Sequence, residues 1–293
     1  MENTGAVWHR KQEAWRSSME EQHLANADGS SLAVLTFPLL EKSGLCRHLF
    51  STRTGGVSGG IYATMNPGFD LGDDEENVLE NHRRLLHVLG AELQDAVRSC
   101  QEHGTHLRVV TAADRGKGFC RPRDYRNTDG LMTDVPGIVL CIYASDCVPL
   151  LFLDPVRQVI AAVHSGWKGT AGGIGRRTVE AMGRIYGCQP EDILCGIGPS
   201  ICRDCYEVSE DVARVFQRDF PDDQDDILQA NDRGRYQLDL QQTCRRMLLD
   251  AGLLPEHLQV SDLCTCCNPD RLFSHRASGG RRGNNAGMIM LLP

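Results

Sequence analysis

The chain has 293 residues, 41% of them hydrophobic, and a formal charge of -8 at pH 7, a balance ordinary for a folded protein with a sizeable core. An acidic excess argues against a nucleic-acid surface, which needs a basic face to neutralise phosphates, but leaves room for a local basic pocket holding one anion. No apolar run reaches membrane-spanning length and the N-terminus lacks the apolar stretch of a signal sequence, so a cytoplasmic protein without a membrane partner is expected.

Residues 1–30 mix charges with Trp8 and Trp15, a heptad apart and so on one face of a helix; they read as a peripheral N-terminal extension. A single α/β domain is expected over 31–293, since neither a repeat nor a linker divides it. The segments 33–37 and 46–52 read as the first strands. They lead into Arg53-Thr54-Gly55-Gly56-Val57-Ser58-Gly59-Gly60, a loop whose glycines let backbone approach a ligand closely. Asp73-Asp74-Glu75-Glu76 places acidic residues where a helix dipole favours them, and Val78, Leu85, Val88 and Leu89 mark the apolar face up to Gly90. The segment 107–110 is a short strand just after His103, and 112–130 is either a lid or a solvated connection.

The run 137–144 is apolar on both alternations and predicts a strand covered on both faces. It delivers Ser145-Asp146-Cys147. Two further apolar runs, 148–153 and 159–163, are joined by Asp154-Pro155 and predict paired buried strands. The second ends at His164, and Gly169 to Gly173 then enters a helix over 174–186 with Ala181, Met182 and Ile185 facing inward. That glycine turn reads equally as an anion cradle beside His164 or as a plain tight turn. The segment 193–199 is another buried strand, 219–226 an acidic solvated loop lacking the ligand order of a calcium site, and 240–251 a core helix with Leu240, Cys244, Met247, Leu248 and Ala251 on one face. A strand over 287–292 closes the chain.

Three side chains suit a metal. His103, Cys147 and His164 supply two nitrogens and a sulfur, a set that binds Zn²⁺ and leaves a fourth position for water, substrate or an anion. Equally, Cys147 is a candidate thiolate nucleophile with His164 as its base and Asp146 orienting the imidazole, as in a metal-free cysteine hydrolase. The chain has 13 cysteines, an odd number in which Cys141 and Cys195 sit inside apolar runs, and few or no disulfides are expected in a reducing cytosol. Cys264, Cys266 and Cys267 form a rival metal cluster, but their spacing departs from paired C-x2-C ligands and reads first as buried or incidental thiols.

Ser51-Thr52-Arg53-Thr54-Gly55-Gly56-Val57-Ser58, Met65-Asn66, Gly72-Asp73-Asp74, Gln101-Glu102-His103-Gly104-Thr105, Ser145-Asp146-Cys147-Val148-Pro149, His164-Ser165-Gly166-Trp167-Lys168-Gly169-Thr170, Gly198-Pro199-Ser200-Ile201, Cys205-Tyr206-Glu207-Val208 and Phe273-Ser274-His275-Arg276 follow one another in an order that resembles the YfiH/LACC1 family, also called the multicopper polyphenol oxidase (laccase) family or purine nucleoside phosphorylase-like proteins. The resemblance implies a layered α/β/β/α sandwich of the CNF1/YfiH-like type and a metal site at His103, Cys147 and His164. It implies phosphorolysis of adenosine, inosine, guanosine and S-methyl-5′-thioadenosine, and deamination of adenosine to inosine, with purine nucleosides and phosphate as partners; a monomer or small homo-oligomer is expected. Asp146 is then a catalytic or ligand-orienting group, and Arg53, Asn66 and Lys168 are the expected substrate contacts. His275 and Asn284 depart from the family's usual Tyr and Arg. The alternative is a copper-dependent polyphenol oxidase, but ten histidines without an H-x-H pair are poorly arranged for such a centre, and Cu²⁺ at the zinc site is the simpler source of copper.

Overall fold

The computed structural model describes residues 18–293; the expected helix face of Trp8 and Trp15 lies outside the described residues. In chain order the strands are β1 (Glu20–Ala25), β2 (Ser31–Thr36), β3 (Cys46–Ser51), β4 (Ala96–Arg98), β5 (Leu107–Val109), β6 (Gly130–Thr133), β7 (Val139–Ala144), β8 (Val148–Asp154), β9 (Val159–Ser165), β10 (Leu194–Ile197), β11 (Glu207–Val208), β12 (Leu228–Ala230), β13 (Tyr236–Leu238), β14 (Leu258–Val260) and β15 (Asn285–Leu291). Two six-stranded sheets result, ordered β1-β2-β3-β15-β7-β4 and β14-β10-β8-β9-β6-β5, with a small third sheet β11-β13-β12. Residues 20–25, expected to be peripheral, add the edge strand of the first sheet by pairing with β2.

Every residue of β7, β8 and β9 is buried, which is why these runs are apolar at consecutive rather than alternate positions. Parity still assigns the faces. Leu140 and Ile142, Leu151 and Leu153, and Ile160 and Ala162 fill the space between the two sheets with Phe37, Phe50 and Ile289. The opposite residues of the second sheet, Leu150, Phe152, Ala161 and Val163, pack under helices. Those of the first sheet, Val139 and Cys141, join Leu85, Leu86 and Met288 on its outer side. The layering is therefore helix, sheet, sheet, helix, as the resemblance implies.

Helix α1 (Glu75–Val88) covers the first sheet. Its N-cap carboxylate, Asp74, accepts the N–H of Glu76 at 2.9 Å, and an aspartate in that position is worth about 1 kcal/mol over alanine. The short α2 (Trp167–Ala171), α3 (Ile174–Tyr186) and α5 (Leu240–Asp250) cover the second sheet, while α4 (Glu210–Asp219) lies beside the small sheet and α6 (His275–Ser278) is a single turn near the C-terminus. Helix α3 ends at Gly187 with φ 73°, a left-handed residue that glycine adopts without a Cβ penalty. Ile185 corrects the expected inward stripe, because it is 44% exposed; the last turn packs through Tyr186 instead.

The sequence reading leaves two connections open. The 112–130 segment is pinned rather than loose, with Asp114 held by Arg108 at 2.8 Å and by Lys117 at 2.7 Å, and Lys117 also reaching Asp124 at 2.8 Å. The Gly169–Gly173 turn spends its amides internally, since the N–H groups of Thr170, Gly172 and Gly173 donate to Gly166, Lys168 and Thr170 carbonyls. It is a tight turn, not an anion cradle. No helix among the described residues is long and apolar enough to cross a membrane.

Candidate metal centre and its cleft

Three strands end together at one rim of the second sheet. The register sets Pro149 opposite His164 and Gly130 opposite Val163, so Cys147 and Asp129 flank the end of β9 from the two neighbouring strands. Residues 129, 147 and 164 share the parity of Leu131, Leu151 and Ala162, whose side chains lie between the sheets. At the rim the same parity turns a carboxylate, a thiol and an imidazole toward one another.

Asp129 is the anchor. Fully buried, it accepts the Nδ1 proton of His164 at 2.9 Å and the backbone N–H groups of Glu102, His103 and Gly104 at 3.1, 3.0 and 2.9 Å. Those three amides can converge because His103 sits at φ 61°, in the left-handed region. One carboxylate thus fixes both the turn that carries His103 and the ring orientation of His164.

Ligand atoms of His103, Cys147 and His164 all lie within 4.8 Å of one another, and the two imidazole rings meet edge to face with centroids 4.9 Å apart. Gly166 makes room for them. A Cβ there would stand 2.8 Å from His103 Cδ2 and 3.2 Å from Cys147 Sγ. With Nδ1 of His164 donating to Asp129, its Nε2 keeps a lone pair for a metal, the arrangement that histidine ligands ordinarily show. The donor set and its support fit a divalent ion bound by His103, Cys147 and His164.

The electrostatics agree. Burial pushes the Cys147 thiol up, but the charge of His164 and hydrogen bonds from both imidazoles outweigh it and bring the thiol down to about 6. Burial pushes His164 down, and the Cys147 thiolate and Asp129 more than reverse this, raising it to about 9. Asp129 is held below the usual carboxylate range: burial opposes ionisation, and His164 and the turn amides overcome it. These shifts favour thiolate and imidazolium near neutral pH, and a metal ion held there would take the place of the imidazolium proton.

The site opens into a cleft of about 560 Å³ whose lining includes Phe69, Arg98, Tyr206, Arg282 and Asn284. This size suits a small-molecule ligand. The Arg98 guanidinium lies 4.0 Å from the Phe69 ring centroid. Arg282 is half-buried, within electrostatic reach of Asp146 and Cys147, and donates to Asn284 Oδ1 at 2.7 Å. The family departures noted above, His275 and Asn284, both face this space.

His103, Cys147 and His164 are brought together as the sequence reading expected. Asp146 is close by but does not orient His164; Asp129 does. The Asp146 carboxylate, at a residue with φ 88°, accepts Thr265 Oγ1 and the Arg276 N–H, both at 2.6 Å, and so fastens two C-terminal loops at the cleft. The expected substrate contacts Arg53, Asn66 and Lys168 are not among the residues lining the cleft. Arg53 donates to the carbonyls of Ala63 and Pro269. Asn66 is fully buried and accepts the N–H groups of Gly68 and Asn284, and the exposed Lys168 lies 5.6 Å from the Trp167 ring centroid. Arg53 and Asn66 thus support loops around the cleft.

Comparison with known proteins follows the same lines. Residues 47–292 match the model of the multi-copper polyphenol oxidoreductase laccase family. A purine nucleoside phosphorylase of Deinococcus radiodurans is 40% identical over 255 residues, covering 87% of this chain and 93% of that protein. The adenosine deaminase RL5, from an unknown prokaryotic organism, is 32% identical over 236 residues, covering 80% and 90%. The crystal structure of YlmD from Geobacillus stearothermophilus superposes with a TM-score of 0.86 at 31% identity, covering 95% of this chain and 100% of that one. On the match to its model and on these relatives, the chain belongs to the multi-copper polyphenol oxidoreductase laccase family.

Proposed function

We propose that the chain is a zinc-dependent purine nucleoside enzyme that phosphorolyses adenosine, inosine, guanosine and S-methyl-5′-thioadenosine and deaminates adenosine to inosine. The observation that carries this reading is the convergence of His103, Cys147 and His164 at the mouth of a cleft lined by aromatic rings and arginines. Relatives named purine nucleoside phosphorylase and adenosine deaminase support the substrate class. Bound zinc supplies a Lewis acid at neutral pH.

The chain's own residues do the rest. Asp129 holds His164 in the tautomer that presents Nε2 and sets the His103 turn. Phe69, Tyr206 and Trp167 offer faces for the purine, and Arg98 and Arg282 offer charge for phosphate. In phosphorolysis a phosphate oxygen bonds to C1′ as the C1′–N9 bond breaks and the purine leaves with a proton. In deamination a water oxygen bonds to C6 and ammonia departs. Arg98 and Arg282 would hold the phosphate against C1′ in the first reaction.

Copper-dependent phenol oxidation fits the donor inventory less well. A multicopper oxidase needs a histidine-rich cluster for several ions, and of the two metal-competent groups among the described residues only one contains histidine, with two such ligands. The metal-free cysteine hydrolase has one observation in its favour, the Cys147–His164–Asp129 alignment of nucleophile, base and orienting carboxylate. Zinc-loaded and chelator-stripped protein incubated with adenosine, with and without phosphate, separates the readings. Chromatography should show adenine and ribose 1-phosphate only with phosphate, and inosine without it, in the zinc-loaded sample. Nucleoside turnover that persists in a His164→Ala variant would refute the proposal.

A further inference from the structure

The cysteines of the tail are organised by partners far upstream. Cys264 and Cys267 form a C-x2-C pair, and Cys202 and Cys205 form another. The sequence reading grouped Cys264 with Cys266 and Cys267 and found no second pair; the fold supplies it, because a β-bridge between Ser200 and Cys264 lays the two segments side by side. The Sγ atoms of Cys202, Cys205, Cys264 and Cys267 all lie within 4.8 Å of one another.

The spacing within this group matches a metal. Four thiolates at tetrahedral corners, each about 2.3 Å from zinc, stand about 3.8 Å apart. Here Cys205 Sγ to Cys267 Sγ is 3.5 Å and Cys202 Sγ to Cys267 Sγ is 4.0 Å. Both distances far exceed the roughly 2.05 Å of a disulfide, and all four cysteines are unpaired. The backbone supports ionised sulfur as well, since the N–H groups of Cys202 and Cys267 both point at Cys264 Sγ at 3.3 Å. Each C-x2-C pair lies in a tight turn, with Cys205 N–H donating to Cys202 O. Asn268 Nδ2 donates to the Cys264 carbonyl at 2.8 Å and closes the other turn. None of the four lines the cleft.

We propose that Cys202, Cys205, Cys264 and Cys267 bind a structural Zn²⁺, distinct from the ion assigned to His103, Cys147 and His164. Four protein ligands close the coordination sphere, so this ion is structural rather than reactive. Its position gives it a task. The Cys202–Cys205 turn roots the small sheet and passes directly into Tyr206, while the Cys264–Cys267 turn carries Thr265, whose hydroxyl holds Asp146. Apart from it, Arg276 ties this region by donating to the carbonyls of Cys205 and Glu207. The ion therefore clamps the segment that carries the cleft-lining Ile201 and Tyr206 to the turn whose Thr265 holds Asp146.

Elemental analysis of the full chain purified without chelator tests this independently of any catalytic claim. Two zinc ions per chain are expected. A His103→Ala/His164→Ala double variant should keep the tetrathiolate zinc alone, and a Cys205→Ser/Cys267→Ser double variant should lose that same ion and keep the one at His103, Cys147 and His164. Should the cysteine variants not fold, Co²⁺ added to stripped His103→Ala/His164→Ala protein should give the intense sulfur-to-cobalt absorption of a tetrathiolate site. Absence of that absorption, a His103→Ala/His164→Ala protein without zinc, iron in place of zinc, or mass spectra showing these cysteines joined as disulfides would each overturn the assignment.

Discussion

Replacing Asp129 by asparagine tests the centre at its least redundant point. Oδ1 accepts His164 Nδ1 and the His103 N–H, and Oδ2 accepts the N–H groups of Glu102 and Gly104. Asparagine keeps one acceptor oxygen and replaces the other with an NH2 group that faces donors. If the amide turns its oxygen to His164, the Glu102 and Gly104 bonds go and the turn carrying His103 is released. If it turns NH2 to His164, the imidazole must swap tautomer and place a proton on Nε2, where a metal would bind. Either way two charge-assisted bonds are lost, each worth about 1.5–3 kcal/mol. We therefore expect a stability loss of about 3–6 kcal/mol and a ten- to hundredfold fall in zinc affinity, with nucleoside turnover falling alongside. Denaturant unfolding reads the first, competition against a chromophoric chelator the second. Zinc affinity within about twofold of wild type would refute the claim that this carboxylate orients the ligands, since that role predicts at least a tenfold effect.

The other predictions concern neighbours of that site and the core. Gly166→Ala puts a methyl 2.8 Å from His103 Cδ2 and 3.2 Å from Cys147 Sγ, so zinc binding should fall sharply while the circular dichroism of the fold is kept. Arg282→Ala should raise the KM for phosphate about 10- to 100-fold, the loss of one charged hydrogen bond, with zinc content unchanged; an unaltered KM would remove Arg282 from the phosphate site. Chelator-stripped protein should be alkylated by iodoacetamide at Cys147 at pH 7, because its thiol lies at about 6, and zinc should protect it. His48 is buried and neutral, accepting the Phe37 N–H on Nε2 at 2.8 Å, and burial lowers it to about 4 from 6.5. Between those values the unfolded chain binds the extra proton, so this contribution is whole above pH 6.5 and drains away as pH falls toward 4, by about 3 kcal/mol. Urea titrations of wild type and His48→Gln across that window should diverge; parallel pH profiles would show that His48 is not the group responsible.

What was legible in the sequence, and what was not, divides along the range of the interactions. Strands β7, β8 and β9 announce themselves because each residue pays its solvation penalty locally, and burial on both faces leaves an uninterrupted apolar run. The Asp74 cap and the Gly187 stop are equally local. Asp129 left no such mark. An aspartate ahead of a strand looks like any turn residue, and its meaning depends on β6 lying beside β9 in the order β8-β9-β6, which no short window contains. Likewise Cys264 and Cys267 looked unpaired because their partners enter through the bridge at Ser200. Ile185 failed in the opposite direction, since helical spacing continued to its last turn and the packing did not.

The dependence on register explains why the reactive groups sit at strand ends rather than on mobile loops. His164, Cys147 and Asp129 inherit their direction from Ala162, Leu151 and Leu131, which are fully buried between the sheets. Slipping β9 by one residue against β8 would carry His164 to the helical side of the sheet and expose an apolar face along the whole strand. The core that stabilises the sandwich therefore also aims these side chains, and Asp129 then fixes the ring of His164. His103 is the exception, delivered by a turn that Asp129 secures through three backbone amides. The site's weakest mechanical link is thus that turn. A substitution there should loosen metal binding before it loosens the fold.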